Sequence, residues 1–126
     1  MRKLLGLVVV AFMFVACGSD APDTVVKKYC SAFAEGNGKE AAKYVYFESE
    51  NERNLFIKWL DEFAGEIKSS NAKKGGIKSI ETIVLNKSEN KARVSCIIKF
   101  KDGKTTDDVI NLTKINGTWY MDSAVR

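Results

Sequence analysis

The chain has 126 residues, with 20 Lys plus Arg against 16 Asp plus Glu, a net charge of +4 and no histidine. That length accommodates one domain, and the missing histidines exclude every His-based triad, His metal site and His general base. The charge excess is mild and comes without a Lys/Arg-rich run, which argues against a nucleic-acid partner.

The chain opens with Arg2 and Lys3, followed by an apolar run from Leu4 to Val15 broken only by Gly6. The run is shorter than the roughly 20 apolar residues of a bilayer span and suits the apolar region of a signal peptide. It closes on Phe14-Val15-Ala16-Cys17. This resembles a bacterial lipobox, in which small residues precede a cysteine that is lipidated and becomes the mature N-terminus; Phe14 stands where Leu is usual. The expectation is a lipoprotein signal peptide over 1–16, lipidation at Cys17, a small polar tether over 17–21 and one domain over 22–126. Gly18 after the cysteine resembles outer-membrane sorting in a Gram-negative envelope. Removing 1–16 takes away Arg2 and Lys3, so the net charge falls from +4 to +2.

Pro22 suits the first turn of a helix, and Asp23 favours its positive end. Val25, Val26, Tyr29, Cys30 and Phe33 follow as one apolar stripe, which predicts an amphipathic helix ending at Gly36-Asn37-Gly38. A second, short helix is expected from about Lys39 to Val45. Ser49 and Glu52 match a capping box. They open a third helix, predicted to reach about Ser69, whose apolar face is Leu55, Phe56, Trp59, Leu60, Phe63 and Ile67. The segment 71–76 is read as a loop. The period then changes from helical to alternating. Strands are predicted over Ile77–Leu85, Ala92–Phe100, Thr105–Thr113 and Thr118–Val125, with hairpin turns at Asp102-Gly103 and Asn116-Gly117.

Three helices followed by four antiparallel strands is an α+β arrangement with the helices on one sheet face. The segment Pro22-Asp23-Thr24-Val25-Val26-Lys27-Lys28-Tyr29, with Glu35-Gly36-Asn37 and Ala41-Ala42-Lys43-Tyr44, resembles the opening of the nuclear-transport-factor-2-like (cystatin-like) cone fold. Lys101-Asp102-Gly103-Lys104 and Ile115-Asn116-Gly117-Thr118-Trp119-Tyr120 resemble the close of a Bacteroidetes-type family of small lipoproteins of unknown function in that superfamily. The resemblance implies a curved four-stranded sheet wrapped around the first helix, leaving a cone-shaped cavity in some members.

The superfamily includes isomerase-like and dehydratase-like enzymes, which need a carboxylate base in an apolar pocket facing a Tyr or a protonated acid. No acidic residue falls on a periodic core position: Asp107 and Asp108 lie beside a hairpin, and Asp122 alternates away from Trp119 and Met121. No catalytic residue is assigned, and no metal or cofactor is expected. Tyr29, Trp59, Phe63 and Trp119 are candidates to line a small apolar pocket; the plainer reading is that these rings fill the cone. Cys30 and Cys96 both fall on predicted core faces, either as a disulfide or as two buried thiols. Lys68, Lys73, Lys74 and Lys78 form a basic rim, read as a solvated face or a contact to anionic lipid. The functional expectation is a non-catalytic binding or accessory domain, lipid-tethered to the envelope, with a protein or small apolar ligand as partner. The alternative is a small isomerase- or dehydratase-like enzyme acting on a hydrophobic substrate in the cone.

Overall fold

A computed structural model describes residues 20–122. The lipidation candidate Cys17, the signal segment and the expected end of the last strand lie outside the described residues. Three helices come first, α1 (Pro22–Ala34), α2 (Gly38–Ala42) and α3 (Glu50–Lys73). Four strands follow, β1 (Ile77–Lys87), β2 (Lys91–Phe100), β3 (Thr105–Ile115) and β4 (Thr118–Met121). They pair in chain order as one antiparallel meander.

The local chemistry explains the boundaries. Pro22 sits in the first turn of α1, where its missing N–H has no partner to lose, and Asp23 joins it at the positive end. Ser49 Oγ accepts the Glu52 N–H at 3.1 Å, and Glu52 Oε1 accepts the Glu48 N–H at 3.3 Å. The capping signal is thus realised one turn before the long helix gathers its apolar stripe. α3 runs to Lys73, past the expected Ser69, and stops where Gly75 and Gly76 take φ of 86° and 89°. α2 stops at Ala42, short of the expected Val45, because the next residues are claimed by the sheet. Met121 N–H donates to the Tyr44 carbonyl at 2.8 Å, and Tyr46 N–H donates to the Met121 carbonyl at 2.9 Å. This short parallel bridge at Val45 covers the open edge of β4.

Both predicted hairpin turns are present. Asn116 and Gly117 carry φ of 52° and 82°, the pair of positive values that a tight two-residue hairpin requires. Asp102 Oδ1 accepts the Lys104 N–H at 2.9 Å in the other turn. β1 holds two irregularities, between Ile77 and Ser79 and between Val84 and Asn86. Such bulges bend a strand, which suits a sheet curved around a helix.

Two clusters make the core, one on each side of α1. Toward the sheet, Val25, Val26 and Cys30 pack with Val94, Cys96, Leu112, Trp119 and Met121. Away from it, Ala32, Ala41 and Leu60 are buried between the helices. α3 is therefore a third layer, resting on α1 and α2. Its predicted apolar face is only partly covered: Leu60 is buried, while Leu55, Trp59 and Phe63 remain 58%, 46% and 40% exposed. A 24-residue helix is about 36 Å long, more than a 13-residue α1 and a five-residue α2 can cover.

Gly36 fixes the turn between α1 and α2. Its φ is 71°, and a Cβ built there would stand 2.5 Å from Ala64 Cβ. Only glycine combines that backbone conformation with so close an approach of α3.

Candidate functional site

A hollow of about 340 Å³ opens between α1, the last turns of α3 and the inner face of the sheet. Its walls are largely apolar, from Phe33, Ile67, Ile77, Ile98, Phe100 and Ile110. Polar groups come from Tyr29, Cys30, Asn71, Lys74, Cys96, Thr106 and Asp108. An apolar cavity with a few polar groups is the usual form of a small-molecule site. A larger groove, about 880 Å³, lies beside α1, but it is lined by mixed charge. Lys28 and Glu40 on its wall already have partners, Asp20 at 2.8 Å and Lys43 at 2.9 Å.

Strand register assembles the polar groups. Asp102-Gly103 sets the hairpin, Lys99 pairs with Thr105, and counting on places Cys96 opposite Asp108 and Ile98 opposite Thr106. Opposed residues in a ladder share a face, so Thr106 and Asp108 stand with the inner residues of β2. α1 supplies Tyr29 and Cys30 one turn before Phe33. Cys30 Sγ and Cys96 Sγ lie 2.9 Å apart, both buried and both free thiols.

The electrostatics follow from burial and proximity. Burial pushes the Tyr29 phenol up to about 12, with a smaller contribution from Cys30. The hydrogen bond between the two thiols raises Cys30 strongly and lowers Cys96; burial adds to the first and opposes the second. The pair thus gives up its first proton more readily than its second, since one S–H stabilises the neighbouring thiolate. The Asp108 charge works against thiolate formation at both sulfurs. Lys74 Nζ lies 4.6 Å from the centre of the Phe100 ring, a cation–π contact at the rim. Asn71 Nδ2 donates to the Ala34 carbonyl at 3.3 Å, tying α3 to the end of α1. Neither the Tyr29 hydroxyl nor the Asp108 carboxylate makes a hydrogen bond or ion pair among the described residues. No group of three or more metal-ligating side chains occurs among the described residues.

Residues 15–122 match the domain of unknown function DUF4878. The chain belongs to this family. Among solved structures, this DUF4878 domain is similar to a "Putative NTF2-like transpeptidase" from Campylobacter jejuni. The TM-score is 0.72 at 16% identity, over 82% of this chain and 99% of that one. At that identity the likeness establishes the fold, the nuclear-transport-factor-2-like cone. RPA3114, a SEC-C motif containing protein from Rhodopseudomonas palustris, aligns with 14% identity and a TM-score of 0.48, over 82% of this chain and 76% of that one. No curated protein matches the chain by sequence.

The DUF4878 domain distributes the four aromatic candidates over three places. Tyr29 lines the hollow. Trp59 and Phe63 lie outside it, on α3, in a chain of rings: Tyr29 to Phe33 at 5.8 Å, Phe33 to Trp59 at 6.2 Å, Trp59 to Phe63 at 5.6 Å. Trp119 is 4% exposed in the sheet-side core, with Lys114 Nζ 5.5 Å from its ring centre. Cys30 and Cys96, by contrast, are brought together. Asp108 is exposed, off the core as the sequence indicates, but it also lines the hollow, which sequence reasoning did not anticipate. The signal was available in the register: two steps back from Ile110 and opposite Cys96, position 108 belongs to the inner face.

Proposed function

We propose that this protein is a lipid-tethered binding domain of a Gram-negative envelope, anchored through Cys17 at the outer membrane, and that its hollow takes a small, largely apolar ligand without transforming it. One observation carries the ligand reading: a largely apolar cavity that holds the half-buried Tyr29 hydroxyl, which has no protein hydrogen-bond partner among the described residues, with the water-exposed Asp108 carboxylate also on its lining. Apolar burial at roughly 25 cal/mol per Å² drives binding, and a hydrogen-bond donor on the ligand replaces water at the exposed Asp108 carboxylate. The tether reading rests on the basic pair, the apolar run and the lipobox-like Phe14-Val15-Ala16-Cys17. Multiple acyl chains make such an anchor stable, at about 0.8 kcal/mol per buried CH2.

The ligand reading is tested with N-phenyl-1-naphthylamine, a neutral fluorescent probe with one N–H donor. Saturable binding is expected, weakened at least tenfold by Thr106→Trp, which fills the mouth of the hollow from an exposed position. Absence of saturable binding by the unsubstituted protein, or an unchanged affinity in Thr106→Trp, refutes it. The tether is tested by fractionation, with Cys17→Ser expected to leave the membrane fraction.

A second reading, a small isomerase or dehydratase, draws support from Asp108 and Tyr29 sharing the hollow, since a carboxylate and a phenol are the pair such proton transfers use. Turnover of a hydrophobic carbonyl or alcohol substrate that Asp108→Asn abolishes, with melting unchanged, would favour it over simple binding.

A further inference from the structure

The strongest unassigned chemistry in the molecule is the thiol pair at the base of the hollow. Cys30 and Cys96 come from elements 66 residues apart in sequence, yet their sulfurs stand at 2.9 Å, with exposures of 8% and 3%. A disulfide places sulfurs about 2.05 Å apart, so closure needs roughly 0.9 Å of travel. Both residues line the hollow, which gives a small reagent a route to them that the rest of the packed core denies.

We propose that Cys30 and Cys96 are an oxidisable pair, closed to a disulfide between α1 and β2 by a low-molecular-weight disulfide that enters through the hollow. Either thiol can donate the hydrogen bond that stabilises its partner's thiolate, so either can attack first; the path that begins at Cys96 is representative. The Cys96 thiolate attacks the reagent RSSR, forming a mixed disulfide and releasing RS⁻. Cys30 gives its proton to that RS⁻, and its sulfur then attacks the Cys96 sulfur. The Cys30–Cys96 bond forms as the mixed disulfide breaks, and the second RS⁻ takes up the proton that Cys96 had lost. The protein gives up two electrons and two protons, and RSSR becomes two RSH. The product ties the first helix to a central strand across a 66-residue separation and replaces two thiols in the hollow wall with one covalent bridge.

The test uses the full chain, incubated with oxidised glutathione, quenched with iodoacetamide under denaturing conditions and digested with trypsin without reduction. Cleavage after Lys28, Lys39, Arg93 and Lys99 isolates the two cysteines on separate peptides, 29–39 and 94–99. The expected product is those two peptides linked, two hydrogens lighter than their sum, and restored to separate peptides by reductant. Oxidation should also raise the melting temperature by on the order of 10 °C, a rise that Cys30→Ala and Cys96→Ala each abolish. Two alkylated peptides, glutathione adducts without cross-linking, or a bond from either residue to Cys17 would overturn the proposal. The peptide map of the unsubstituted chain decides this even where a variant folds poorly.

Discussion

Asp108 stands directly across the ladder from Cys96, so a carboxylate faces a thiol on the inner surface of the sheet. The relationship is a consequence of register alone, set by a hairpin four residues away, and it places the one acidic side chain lining the hollow beside its reactive sulfurs. Because a nearby negative charge disfavours a thiolate, Asp108→Asn should make the pair more reactive. At pH 8 the alkylation rate of the Cys30–Cys96 pair by iodoacetamide should rise by roughly two- to fivefold, modest because Asp108 is exposed and screened. A Cys17→Ser background removes the third thiol from the measurement.

The contact between Gly36 and Ala64 should be among the least tolerant in the molecule. Gly36→Ala places a methyl where the Cβ would lie 2.5 Å from Ala64 Cβ, on a backbone with φ of 71°. The expected loss is about 3 kcal/mol in urea unfolding. Ala64→Gly removes the closer of two collisions; the Ala64 Cα at 2.9 Å and the backbone strain remain. The double variant should therefore be at least about 1 kcal/mol more stable than the sum of the single losses predicts.

Trp59 and Trp119 should separate clearly by stability. Sequence periodicity gives both the standing of core residues, with truncation costs of about 3–5 kcal/mol each. In the folded chain Trp119 is 4% exposed and Trp59 is 46% exposed. Trp119→Ala should keep the full core cost. Trp59→Ala should cost about 1–2 kcal/mol, since its ring remains half in water. Paired urea melts measure the difference, and equal losses would contradict the layer order in which α3 lies outside α1.

Tyr29 gives the domain an alkaline limit. Its phenol ionises at about 12 when folded against an ordinary 10.0. The sign follows: the folded state holds the proton more tightly, so the contribution is complete below pH 10 and is lost as pH rises toward 12. The window is worth about 3 kcal/mol at most, two pH units at roughly 1.36 kcal/mol each. Tyr29→Phe should flatten the fall in stability between pH 10 and 12 relative to the unsubstituted protein, measured by urea titration at each pH.

The sequence by itself determined the elements and most of their ends, because those depend on local chemistry. Pro22, the Ser49–Glu52 cap, Gly36 and the Asn116-Gly117 turn act within a few residues of themselves, and the switch from a 3.6 to a 2.0 period reports the change from helix to strand. The fold class and the joint placement of Cys30 and Cys96 in one core followed from the same patterns, since two inward faces in a domain of this size have one interior to share. Tertiary structure decided which apolar stripe was covered and by what. The period of α3 marks an apolar face but carries no statement about a neighbour long enough to bury it, so Trp59 and Phe63 read as core and stand half-exposed. It also decided that Val45 joins the edge of β4, a parallel bridge to a residue 76 positions later that no local pattern encodes. The 2.9 Å approach of the two thiols and the hollow above them depend on where α1 settles on the bulged, curved sheet, a sum of long-range contacts rather than a property of any segment.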